Sequence, residues 1–355
     1  MTTVDRLVLL FCLAGGAPAD GAPRDLLVPP AKLPADLPKL APLLQNSKSD
    51  PIGDRAGWEN RRGEVQKAWF DFLGRFPRER APLKAEVLDR DEQPAFVRER
   101  VRYQIEDGVF TDGYLLRPRG KTGKLPAAVV FHATANSQAR QSAGLDPEKP
   151  ELHIGVQLAE RGFVTLCPRC YIFDEGTSYV GNVDKMRERH PDWKGMTRMA
   201  FDAVRAADYL ASLSEVDPAR IGAIGHSLGA KEALYAAAFD ERYRAAVFSE
   251  GGIGFSFSNW DAVWYLGVGL IDPGADLEHH QLIAMIAPRA FLLLAGESAD
   301  NDRSWAFIDA ARPVYKLLGA ERSLGWLNHR QGHKYAPEAR KLAEEFLERH
   351  LKPRP

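Results

Sequence analysis

The stretch Gly225-His226-Ser227-Leu228-Gly229 sets one hydroxyl between two glycines, each two positions away. The apolar run Ile221–Ile224 precedes it, and the helix-forming Ala230-Lys-Glu-Ala-Leu-Tyr-Ala-Ala-Ala follows. A serine on a sharp strand-to-helix turn presents its oxygen unhindered to an electrophilic carbon, while the flanking glycines let the two backbones pass closely. The bare pattern would arise by chance in about one chain in ten of this length, so the strand before it and the helix after it carry the argument. The chemistry implied is attack on an acyl carbon, with the helix N-terminus favouring the negative charge that develops.

A serine hydroxyl needs a base. Among nine histidines, His333 follows the strand Leu324–Leu327 and precedes the terminal helix, where a base of this topology belongs. His329 is the competitor, closer to the strand end and equally suited to hydrogen-bonding within its loop. His226 is expected to point away from the serine into the packing around the turn, and His279 and His280 to pack or bond locally. The base in turn needs a carboxylate to hold its tautomer. Asp300, in the loop after the strand Ala290–Leu294, gives the chain order Ser, Asp, His and is expected as the main acid. Glu250, after the strand Ala245–Phe248, is expected to reach the same imidazole, because neighbouring parallel strands lie about 5 Å apart. Asp302 is either a further candidate or the cap of a helix beginning near Ser304. The oxyanion is expected to meet the backbone N–H groups of Leu228 and of Ala133, the latter in the loop Phe131-His132-Ala133-Thr134-Ala135-Asn136. His132 of that loop is placed with the substrate-binding residues.

The elements that must position these groups follow from hydrophobic pattern. Unalternated apolar runs at 127–131, 164–167, 221–224, 245–248, 290–294 and 324–327 suit strands buried on both faces. Helical stretches at 151–161, 197–213, 228–238, 304–318 and 336–350 separate most of them, which argues for an α/β protein with a mostly parallel sheet and helices on both faces. Before them, residues 83–89 and 96–105 largely alternate apolar and charged side chains, as antiparallel strands at a sheet edge do. An aromatic helix is expected over 56–76, ended by Gly74 and Pro77. Pro18 to Pro51 contain eight of the 24 prolines, an extended arm expected to lie along the body. The loop Phe255–Tyr265, with Trp260 and Trp264, either walls a pocket or packs under a helix, and the insertion Tyr171–Lys194 is long enough to shape the cleft rim.

These residues together resemble an α/β-hydrolase fold of the dienelactone-hydrolase-like type, near the branch holding acetyl xylan esterases and glucuronoyl esterases. The resemblance covers about residues 81–350. It implies a serine esterase working through an acyl-enzyme, acting on a carbohydrate ester of acetyl xylan or glucuronoyl type. Glucuronoyl esterases carry a lysine four positions after the serine, matched by Lys231, an acid in a loop like Ser249-Glu250-Gly251-Gly252, and an aromatic stretch like Asn259-Trp260. The resemblance therefore implies substrate-binding roles for Lys231 and Trp260. Leu228 stands where those enzymes have an arginine, and Ser227 where dienelactone hydrolases use cysteine. The alternatives are a peptidase like the catalytic domain of prolyl oligopeptidases, which the chain is too short to match with a propeller, an acyltransferase, or a non-catalytic carbohydrate-binding protein.

Composition sets the outer limits. In 355 residues, 47 Lys+Arg against 48 Asp+Glu give a net charge of −1, which argues for neither nucleic acid nor an anionic membrane as partner. The expected partner is a small-molecule or glycan ester, and neither metal nor organic cofactor is required. Leu7–Leu13 with the following Ala17-Pro18-Ala19 reads as a secretory signal, implying a secreted or periplasmic protein, and otherwise a cytoplasmic one. The expected organisation is a signal over 1–19, the arm and N-terminal helix over 20–80, and a catalytic domain over 81–355. Cys12 would leave with the signal; Cys167 and Cys170 either pair or are two small buried residues.

Overall fold

A computed structural model describes residues 26–46, 48–174, 176–268 and 277–352. The signal expected over 1–19, with Cys12, lies outside them. In chain order the elements are α1 (Arg55–Leu73), β1 (Glu86–Glu92), β2 (Phe96–Glu106), β3 (Val109–Pro118), β4 (Leu125–Phe131), α2 (Ala139–Ser142), α3 (Ile154–Glu160) and β5 (Val164–Pro168). There follow α4 (Tyr179–Arg189), α5 (Gly195–Ser212), β6 (Val216–His226), α6 (Leu228–Phe239), β7 (Tyr243–Ser249), α7 (His280–Ile286), β8 (Ala290–Ala295), α8 (Trp305–Leu317), β9 (Leu324–Asn328) and α9 (Pro337–Leu351).

The described strands make one nine-stranded sheet in the order β1-β2-β3-β5-β4-β6-β7-β8-β9. The ladders β1·β2, β2·β3 and β3·β5 are antiparallel, and every pairing from β5 through β9 is parallel. The sheet is therefore the mostly parallel one of an α/β-hydrolase fold, with antiparallel strands at its N-terminal edge. Side chains alternate between two cores, as pleating demands. Ala127, Val129, Phe291 and Leu293 face the core shared with α1 and α5–α8, whereas Ala128, Val130, Leu292 and Leu294 face the one shared with α3 and α9.

Several elements depart from the sequence reading. The strand β3 was not expected; it forms a hairpin with β2 across Asp107-Gly108, a dipeptide suited to a two-residue turn, with Glu106 opposite Val109. Helix α4 occupies the insertion after Tyr171, with the Ser178 hydroxyl capping Gly181 N–H, and α7 follows the segment at His279. The first strand begins at Glu86 rather than at residue 83. Cys167 and Cys170 are buried free thiols.

Over its described residues, 26–46 and 48–51, the proline arm lies along the body. Leu26 O accepts from Trp326 N–H at 2.9 Å, which covers the free edge of β9, and Leu43 enters the core. Register then gathers the loops. Phe131 pairs with Gly225, His226 with Ser249 and Ser249 with Leu294, so the segments leaving β4, β6, β7 and β8 emerge side by side at the carboxyl end of the sheet.

Candidate active site

Ser227 sits between β6 and α6 with φ 58° and ψ −118°, a backbone state costly for any residue with a Cβ. Its N–H donates to Ser249 O at 2.8 Å, fixing the turn to the next strand. The two flanking glycines are sterically obligatory: a Cβ on Gly225 would lie 2.1 Å from the Gly229 carbonyl carbon, and one on Gly229 would lie 2.2 Å from Phe131 O. The chain thus holds the serine in strain where strand and helix cross at backbone contact.

Ser227 and His333 line the same cleft, of about 640 Å³, with His226, Ala133, Thr134 and Tyr335 among its walls. His333 Nδ1 lies 3.0 Å from Glu250 Oε2. A carboxylate only accepts, so Nδ1 carries a proton, and in the neutral imidazole this tautomer leaves Nε2 as the nitrogen able to take one. Glu250 is fully buried and itself occupies a left-handed backbone conformation, φ 52°. Its other contacts are backbone amides of the loop after β8: Gly296 N–H on Oε1 in a short bond and Ala299 N–H on Oε2 at 3.1 Å.

Asp300 does not occupy the position expected of the main acid. Its oxygens accept from Gly252 N–H (2.6 Å), Ile253 N–H (2.8 Å) and the Ser304 hydroxyl (2.8 Å), and it makes no bond to His333. Burial pushes its carboxyl up to about 6, with the neighbouring Glu250 charge adding to the effect and the two amides opposing it. Asp302 is turned to Arg330 and Asn328, and the cap it might have supplied comes from Asn301, which accepts from Arg303 N–H. Glu250, placed second in the sequence reading, is the carboxylate on the imidazole.

The remaining histidines separate by environment. His226 is buried, as expected, but its ring also borders the cleft, 4.8 Å from that of His333, with Nδ1 3.0 Å from the Ser249 hydroxyl. Burial drives its imidazole down to about 3, so it stays neutral beside the base. His329 accepts from Gln331 N–H within its own loop. His279 bridges Ile253 O and the Tyr235 hydroxyl, and His280 reaches Ala41 O in the arm.

Three residues expected to bind substrate lie elsewhere. Lys231 projects from α6 into a closed box, its Nζ 4.1 Å from the Trp260 ring centre and 4.2 Å from that of Tyr265, and donating to Ser258 and Asn259. Burial lowers its ammonium to about 7. Trp260 is fully buried and donates to Gly252 O at 2.6 Å, so this part of the aromatic loop is packing. His132 is buried between Ala133 O and Cys170 N–H. Among the described residues, the cleft that holds Ser227 and His333 is lined by none of the three.

Of the two amides expected to meet an oxyanion, Leu228 N–H is the first of α6 and has no intrahelical partner. The Ala133 N–H is instead donated to Gln141 Oε1 at 3.2 Å. Gln141, and the Gly296 and Ala299 amides that hold Glu250, carry no sequence signal, because their roles arise only from tertiary placement.

Residues 111–256 match the model of the dienelactone hydrolase family. The chain is 27% identical over 191 residues to the Bacillus subtilis (strain 168) protein YtaP, whose name describes it as a hydrolase, covering 52% of this chain and 63% of that one. It is 26% identical over 200 residues to the carbohydrate esterase MZ0003 of an unknown prokaryotic organism, covering 50% of this chain and 44% of that one. The chain thus spans less than two thirds of the length of these curated relatives. Among solved structures, a glucuronoyl esterase from Solibacter usitatus superposes with TM-score 0.74 at 17% identity, over 90% of this chain and 99% of that one, which establishes a shared fold.

Proposed function

We propose that this protein is a serine esterase acting on carboxylic esters of carbohydrates. The observation that carries this reading is the buried Glu250 on His333 Nδ1 at 3.0 Å, across one cleft from a serine in a strained turn. Ser227 Oγ attacks the ester carbonyl while His333 Nε2 takes its proton; Glu250 holds the tautomer and stabilises the imidazolium. Leu228 N–H donates to the oxyanion. The alcohol leaves with the proton returned by His333, and water then cleaves the acyl-enzyme by the same steps in reverse. The carbohydrate part of the reading rests on a relative and a structural neighbour named as carbohydrate and glucuronoyl esterases. No described helix is long and apolar enough to cross a membrane. In the same reading residues 1–19 export the chain and residues 81–355 carry the catalysis.

The test is turnover of p-nitrophenyl acetate, an acetylated xylan oligomer and the methyl ester of glucuronic acid, with covalent labelling by a fluorophosphonate. Hydrolysis that disappears in Ser227→Ala, with the label mapped to Ser227, supports the reading. Labelling at another serine with parallel loss of activity would overturn it.

A further inference from the structure

We propose that His132 is a positioning residue whose ring aims the Thr134 N–H into the cleft as the second oxyanion donor, a role that rests on the esterase reading above. The argument starts from the imidazole. Its Nε2 accepts from Cys170 N–H at 3.2 Å, so that nitrogen carries no proton, and Nδ1–H therefore donates to Ala133 O at 2.7 Å. The ring is 1% exposed, with Phe173 edge-on at 5.2 Å, and burial drives it down to about 4. It is therefore neutral across the working range of an esterase, in one tautomer.

That tautomer fixes a peptide plane. The Ala133–Thr134 bond is trans, as is every described peptide except Ala287–Pro288, so the Thr134 N–H points opposite to the Ala133 carbonyl. The carbonyl is held toward the buried ring, which turns the N–H away from it, to the side where Ala133 and Thr134 line the cleft with Ser227. Thr134 is exposed, and among the described residues its N–H has no hydrogen-bond partner. The adjacent Ala133 N–H is already committed to Gln141. Leu228 N–H at the start of α6 and Thr134 N–H beside the same cleft are thus two amides left without a partner among the described residues, and side chains rather than glycines set the second one.

Asn and Gln divide the function of the ring. Asn at 132 places an amide nitrogen near Nδ1 and keeps the donor to Ala133 O, whereas Gln places its oxygen near Nε2 and keeps only the contact to Cys170. His132→Gln is expected to lower kcat by about 10²-fold with KM little changed, the cost of one oxyanion donor, and His132→Asn to recover most of that loss. Thr134→Pro, on an exposed loop, removes the N–H itself and should cost about as much. In the unmodified protein, the Thr134 amide proton should move downfield when Ser227 carries a phosphonate, and the Ala133 amide should not. Ser227-dependent turnover with kcat intact in His132→Gln and Thr134→Pro, or an Ala133 rather than Thr134 amide shift, overturns the inference while leaving the esterase reading standing. No turnover and no phosphonate labelling in the wild type overturns both.

Discussion

Glu250 and Asp300 follow neighbouring strands, both are closed to solvent, and each is held by backbone amides of the other's loop, yet only one touches the imidazole. Glu250 leaves β7 and is bound by Gly296 and Ala299 from the β8 loop; Asp300 leaves that loop and is bound by Gly252 and Ile253 from the β7 turn. The difference lies in what remains. Asp300 has its third acceptor site taken by the Ser304 hydroxyl, whereas Glu250 Oε2 still accepts from His333. Two carboxylates of equal burial can therefore divide into one that orients a base and one that fastens two loops, decided by the donors around them rather than by strand order.

The largest effect that would sharpen this division is on rate. Glu250→Gln leaves the imidazole without a carboxylate, and its kcat should fall by about 10³- to 10⁴-fold. The amide oxygen still accepts from Gly296 or Ala299, so thermal stability should fall only modestly. Steady-state kinetics beside a thermal melt measures both. If Glu250→Gln retained near-wild-type kcat, the division between the two acids would collapse.

Asp300→Ala should do the opposite. It strands two buried amides and a buried hydroxyl, each worth about 1 kcal/mol or more, so urea denaturation should show a loss of about 3 kcal/mol. Turnover by the folded fraction should fall far less than in Glu250→Gln. A mutant as stable as wild type but as slow as Glu250→Gln would return Asp300 to the triad.

Acidity offers a third contrast. Burial holds the Asp300 carboxyl at about 6 in the folded protein, against about 3.9 in an unfolded chain. Between those values the folded state keeps a proton the unfolded state has released, so stability is fully present below pH 4 and declines as pH rises through 6. Two pKa units correspond to about 3 kcal/mol at most. Urea midpoints from pH 4 to 7 should show this decline in wild type and lose it in Asp300→Asn. A wild-type midpoint that rises over the same range in step with Asp300→Asn would place the ionised carboxylate among donors strong enough to outweigh its burial.

What was legible in the sequence follows the same physical line. The elbow could be read from its letters because its demands are local: Gly225 and Gly229 have no room for a Cβ, and Ser227 needs a turn between strand and helix. The parallel strands could be read because burial on both faces leaves unbroken apolar runs, as at Ala127–Phe131. The missed strand β3 was within reach through Asp107-Gly108. The choice between Glu250 and Asp300 was not, since it depends on which amides of another loop claim each oxygen. Lys231 and Trp260 misled for a similar reason: their types suit a sugar pocket, but the ammonium is sealed against the two rings it would share with a ligand.

The smallest expected effect belongs to the third carboxylate. Asp302 shares the β8 loop with Asp300, but its partners are Arg330 at 2.7 Å and Asn328 at 2.8 Å, and the Arg330 side chain is 55% exposed. Arg330 also pairs with Glu297 at 2.8 Å, so the cluster ties the loop after β8 to the segment that leads from β9 to His333. An exposed pair of this kind is worth at most about 1 kcal/mol and weakens with salt. Asp302→Asn keeps an oxygen for Asn328 or Arg330, and kcat/KM should stay within about threefold of wild type. Half-molar salt should reduce the wild-type stability toward that of the mutant. A tenfold loss of kcat with unchanged stability would mean that the Arg330 clamp, and not Glu250 alone, sets the position of the base.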